Sequence, residues 1–211
     1  EAAPDNADYA FYYANGFDHT DFELYRQFSL QVAKDFPTSE RGAQALYWLA
    51  HKEKNVATKI LYYEQLKSSF PVDKFNWSMS GMSTYFEVLL EKSAKEAVGL
   101  AAYVAGLPLQ ERGLKTWNDN TQLAKNVAEV QSLLKNGKAV DAIAIADKIQ
   151  VPRYGASIPF IILLKAQVLD EAGKTKEAYE KLLTFFAKEP TEKINNQLLI
   201  YGNKINKASA A

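Results

Sequence analysis

The stretch EAGKTKEA, residues 171–178, has two readings. Gly173-Lys174-Thr175 is either the end of a phosphate-binding loop or the turn between two helices. The loop needs a first glycine five residues before Gly173 and a strand leading into it, because its phosphates rest on the N–H groups of a glycine-rich backbone. Position 168 is Val168, and residues 158–172 read as a helix. A second copy, KNGKAVDA at 135–142, keeps the glycine and the alanine but has Ala139 where the loop needs a hydroxyl. The pair therefore reads as one helix–turn–helix joint used twice, 36 residues apart. Glycine turns the chain in a left-handed conformation, and the alanine (Ala142, Ala178) lets two helices approach.

Outward from this joint the chain reads as helix after helix. In TDFELYRQFSLQVAKDFP, residues 20–37, Phe22, Tyr25, Phe28, Ser29, Val32, Ala33 and Phe36 recur in steps of three and four, one apolar face of a helix. Thr20 and Glu23 form a candidate capping box, and Pro37 stops the helix. Helices are expected at about 41–52, 56–69, 83–92, 94–105, 119–136, 138–149, 158–172, 176–188 and 192–206. KFNWSMSGMS, residues 74–83, reads as a loop, and LQERGLKTW, residues 109–117, as a short helix weakened by Gly113. Ser157 and Thr191 are expected N-caps, and Gly137 and Gly173 expected C′ residues. DYAFYYANGF, residues 8–17, reads as a terminal helix packing Tyr9, Tyr12 and Tyr13 onto the next pair, or as an aromatic binding patch. No strand of period two is expected. Phe36-Pro37 and Phe70-Pro71 each close a helix and lie 34 residues apart, a second sign of repetition.

Composition narrows the function classes. Lysine plus arginine number 25, aspartate plus glutamate 25, and the net charge is zero. Only four of the basic residues are arginine, the side chain suited to bidentate phosphate contacts, so no nucleic-acid partner is expected. There is no cysteine, which removes disulfides, thiolate catalysis and zinc–thiolate sites. That absence fits an exported, periplasmic protein better than a cytosolic one. No run approaches the ~18 apolar residues of a membrane span. The chain begins Glu-Ala-Ala-Pro without Met, as a processed or partial chain would.

No catalytic constellation is legible. His19 and His51 are the two histidines, and neither has a second imidazole at helical spacing, so no metal site is expected. A Ser-His-Asp triad would have to be gathered in space, and no Gly-x-Ser-x-Gly elbow supports one; SMSGMS fails the spacing. The expectation is a non-enzyme without cofactor.

The last helix pair resembles a tetratricopeptide repeat. Its residues match that pattern at the small Ala166, the large Leu169, the turn Gly173, the small Ala178, the large Leu182 and the closing Pro190. It departs at Lys165, where the pattern has leucine, and at Phe185, where it has alanine. The pair at 123–149 matches at Gly137 and Ala142, and the first pair in its period and closing prolines, so the resemblance covers about two-thirds of the chain. It implies an all-α fold over 1–211: a single helical-repeat domain of ten or eleven helices in antiparallel pairs, stacked as a TPR-like α-solenoid. It implies a non-catalytic binding or scaffold module with a protein or peptide partner. In such repeats the first helix of each pair lines the inner face; carried over by period, this places Arg41, Gln44, Trp48 and His51 on one binding stripe. The alternative for that stripe is an ordinary solvated helix face with a partly buried tryptophan. A second similarity concerns the ending IYGNKINKASAA, residues 200–211, which is similar to the linker after a helical N-terminal region in exported bacterial thioredoxin-like proteins. It implies the alternative role of a helical accessory domain whose redox domain lies outside this chain.

Overall fold

A computed structural model describes residues 6–153 and 155–209. Among them there are eleven α-helices and no strand. They are α1 (Ala7–Asn15), α2 (Phe22–Asp35), α3 (Glu40–Lys52), α4 (Val56–Ser69), α5 (Asn76–Lys92), α6 (Ala94–Ala105), α7 (Glu111–Lys135), α8 (Ala139–Lys148), α9 (Ile158–Glu171), α10 (Thr175–Phe186) and α11 (Glu192–Ser209). The chain divides into two compact units, residues 1–88 with 103–114, and residues 89–102 with 115–211.

In the first unit, side chains written into the sequence set the helix starts. Asn6, Asp21, Ser39 and Asn55 each accept a backbone N–H of the turn that follows, at 3.0–3.1 Å. Such caps satisfy amides that have no partner within the helix. The cap of α2 is Asp21, not Thr20, because a carboxylate one residue later reaches both Glu23 and Leu24 N–H. Phe36 and Phe70 end α2 and α4 and precede prolines, which disfavour helical backbone in the residue before them. Within the unit α1 packs on α2 and α3, α2 on α3, and α3 on α4. Phe11 and Ala14 are the buried residues of α1, set against Val32 and Ala45. Tyr9, Tyr12 and Tyr13 remain 47, 61 and 49% exposed, yet two of them pack on the next helices: the Tyr13 ring lies 5.0 Å from Phe28 of α2, and the Tyr12 hydroxyl accepts from Arg41 of α3 at 3.2 Å.

In the second unit, α8 packs on α9, α9 on α10, and α10 and α9 on α11. The two glycine joints have one geometry. Gly137 and Gly173 lie at φ +68° and +80°. Gly137 N–H donates to Leu134 and Lys138 N–H to Leu133; Gly173 N–H donates to Asp170 and Lys174 N–H to Leu169. This is the Schellman closure at both positions. Ala166, Leu169, Ala178, Leu182, Ile194, Leu198 and Tyr201 form the core around the second joint. Thr191 caps α11 through a long contact to Ile194 N–H at 3.4 Å, whereas Ser157 is buried at the start of α9 and makes no side-chain cap bond.

Two expected irregularities are helical. Residues 76–83, expected as loop, are the first two turns of α5, with Ser78, Met82, Tyr85 and Leu89 buried at steps of four, three and four. Gly81 has no Cβ, and one placed there would stand 2.5 Å from Leu66 Cδ2. The glycine is where α5 meets α4, and that packing outweighs its low helix propensity. Likewise α7 runs through Gly113 to Lys135, joining two expected segments into one helix. The IYGNKINKAS part of the expected linker lies in α11, which continues to Ser209; Ala210 and Ala211 fall outside the described residues.

Candidate functional site

Arg41, Gln44, Trp48 and His51 lie on one stripe of α3, but the structure gives them two different environments. Arg41 is bound into the fold. Its Nε donates to Asp8 at 2.6 Å, one terminal nitrogen donates to Gln44 at 2.5 Å, and the other to the Tyr12 hydroxyl at 3.2 Å. Its guanidinium also stands 5.0 and 5.1 Å from the Phe11 and Tyr12 ring centres. Arginine's planar fork suits this role of fastening α1 to α3. Gln44 serves as its acceptor.

The other end of the stripe is a ring cluster. Trp48 is half-buried, packed against the core of Phe11, Ala14, Val32 and Ala45. Its ring centre lies 5.1 Å from Tyr47, 5.5 Å from His51 and 5.9 Å from Trp77. Tyr47 is half-exposed; it stacks on His51 at 5.9 Å and meets Trp77 at 5.1 Å. These separations are those of interacting aromatic pairs. Trp77 enters from the first turn of α5, one turn before Gly81 on the same face. A Cβ at Gly81 would stand 3.5 Å from Tyr47 Cδ2, so the bare glycine lets α5 approach closely enough for Trp77 to reach α3.

The electrostatics around the rings lean positive. The Lys52 ammonium sits 5.8 Å above the Trp48 ring and pairs with Asp18. Burial, then Lys59 and Lys52, hold the His51 imidazole below its ordinary pKa, so it is neutral at pH 7 and offers both a donor and an acceptor. Glu53, the C-cap of α3, is buried; it accepts from Arg26 at 3.2 Å and from Asn55 N–H at 2.8 Å. That pairing fixes the end of α3 and so the position of His51 and Lys52.

A face of three rings and a neutral imidazole can take an apolar or aromatic side chain, or a proline, against its flat surfaces. Trp77 is the member that sequence reasoning missed, because it fell within the expected loop. The four-three-four spacing of Ser78, Met82, Tyr85 and Leu89 was the signal that could have placed it on a helix. Among the described residues no group of three or more His, Cys, Asp or Glu is arranged to hold a metal, and no helix is long and apolar enough to cross a membrane. Compared with known proteins, the chain matches no family model, no curated protein and no solved structure.

Proposed function

We propose that the chain is a non-catalytic peptide-binding module built from TPR-like antiparallel helix pairs, and that the ring face of Tyr47, Trp48, His51 and Trp77 receives the peptide. Support for the stacked-pair architecture comes from the contacts: each helix of the described pairs packs on the next, and α1 on α3 and α9 on α11, as stacked hairpins require. The observation that carries the binding role is the Tyr47–Trp48–Trp77 cluster, left partly open to solvent with a neutral imidazole at its edge. Folding alone would favour covering such rings, and tryptophan and tyrosine anchor binding energy when a partner desolvates them. Arg41 and Gln44 brace the site by holding α1 in place, rather than acting as the orienting contacts of an open groove.

The test is selection of peptides from a random library on the immobilised chain, followed by affinity measurement from tryptophan fluorescence. Trp77→Ala is expected to weaken a selected peptide by at least tenfold, with helical circular dichroism unchanged. Trp77 is the better probe than Trp48, whose ring also serves the core. A library that yields no binder, or a binder indifferent to Trp77→Ala and His51→Ala, refutes the assignment.

A further inference from the structure

The second unit holds a feature that the peptide reading does not use. A cavity of about 460 Å³ opens between α9 and α10. Lys165 and Phe185, the two departures of this pair from the repeat pattern, both line it. Its apolar wall is Ile162, Ala166 and Phe185, with Val151 at one edge. Lys165 stands among these groups half-buried, and its Nζ donates to the Ile149 carbonyl at 2.8 Å.

An ammonium has three N–H donors, and this hydrogen bond uses one of them. Lys165 has no ion-pair partner among the described residues; Asp147 acts on it only through space. Burial, the larger influence, disfavours the charge, Asp147 favours it, and Lys181 disfavours it. The charged groups at the mouth largely satisfy themselves. Lys181 pairs with Glu177 at 3.2 Å, and the exposed Glu180 and Lys188 offset one another in charge. The lining therefore carries three lysines against two glutamates, and the lysine set deepest, Lys165, is offset only through space, by Asp147 outside the lining. A half-buried cation beside an apolar wall is costly until an anion meets it, and the anion that fits must bring an apolar body. The volume lies within the ~300–1,000 Å³ range of small-molecule pockets.

We propose that this cavity binds a small carboxylate with an apolar tail. The carboxylate meets the two unused Lys165 donors, and the tail lies along Ile162, Ala166 and Phe185. The site is separate from the ring face and stands or falls independently of it.

The experiment titrates the whole chain calorimetrically with octanoate, octanol and octylamine, and repeats it for Lys165→Met and Lys181→Met. The expected result is saturable octanoate binding, with octanol and octylamine at least tenfold weaker. Lys165→Met should lose at least tenfold for octanoate while leaving octanol unchanged. Lys181→Met, at the rim, should change octanoate affinity less than twofold. Head-group discrimination lost in one variant alone is a readout that a merely structural lysine would not give. Absence of octanoate binding to the folded protein overturns the proposal. So does octanol binding as tightly as octanoate, an undiminished Lys165→Met, or an equal loss in Lys181→Met. A leucine-terminated peptide binding through its free carboxylate more tightly than octanoate would also overturn it, in favour of a peptide end. If Lys165→Met does not fold, head-group discrimination by the unaltered chain decides.

Discussion

Replacing Gly42 by alanine sets two effects of one methyl group against each other. In a helix interior alanine is favoured over glycine by ~1 kcal/mol, because glycine loses more backbone freedom on folding. Gly42 lies in the first turn of α3 and is buried. A Cβ there would come closer than 3.0 Å to the Phe36 carbonyl oxygen and 2.9 Å from Phe70 Cζ. The carbonyl belongs to the backbone that closes α2, so it cannot swing aside as a side-chain tip can. Phe70 is fully buried and its ring packs edge-on against Phe75 at 5.3 Å, so it has nowhere to go either. Overpacking of this kind costs ~1–3 kcal/mol, and a backbone obstruction places it at the upper end. The net expectation for Gly42→Ala is a loss of about 2 kcal/mol. Gly99 in α6 is the matched control: it is exposed, and a Cβ there meets nothing within 4 Å, so Gly99→Ala should gain ~1 kcal/mol. Gly81 falls between them, since its obstruction is the tip of Leu66. Urea unfolding followed by circular dichroism, with unchanged slopes, reads the three differences. If Gly42→Ala proves neutral, or stabilises as Gly99→Ala does, the close approach of α2, α3 and α4 around this glycine is wrong.

Three further outcomes are expected. Gly173→Ala meets no steric neighbour, yet φ is +80°, so it should cost ~1–2 kcal/mol in urea unfolding through backbone strain alone; a neutral result would mean that the joint is not left-handed. Arg26→Ala leaves the Glu53 carboxylate buried with only its bond from Asn55, and should cost about 2 kcal/mol. Arg26→Ala together with Glu53→Leu should recover part of that loss, as a double-mutant cycle would reveal. For His51 the folded pKa lies below the unfolded one, so the unfolded chain takes up the proton first. Its contribution to stability is complete above pH ~6.5 and is lost as pH falls from there through the folded value. His51→Gln should flatten that part of the stability profile between pH 7.5 and 5, and an unchanged profile would contradict the burial and lysine effects on the ring.

Residues that act on their own chain neighbours were readable in the sequence. Gly137 and Gly173 mark turns because a positive φ is a local demand that glycine meets without strain, and both were expected at the C′ position where they stand. The buried face of α2, with Tyr25, Ser29, Val32 and Ala33, was legible because a 3.6-residue period is written within a single segment. The shift from Thr20 to Asp21 as the cap of α2 is an error of one position, at a boundary where both side chains can serve. One larger misreading has a different cause. Residues 74–83 were expected as loop, since Ser and Gly are weak helix formers, and the neighbours that decide otherwise are distant in sequence: Leu66 and Tyr47 for Gly81.

The candidate site divides in the same way. The stripe from Arg41 to His51 follows from helical spacing, so its members share a face by local geometry. What each member does was set by other helices. Asp8 and Tyr12 of α1 engage Arg41, and Trp77 of α5 joins Trp48. By itself, the sequence determined where most helices run and turn, the first turns of α5 and the continuity of α7 excepted, because hydrogen bonding, capping and backbone strain act within a few residues. Only the tertiary structure decided which rings meet, which cation is committed and which glycine must stay bare, because these depend on distances of a few ångströms between segments tens of residues apart.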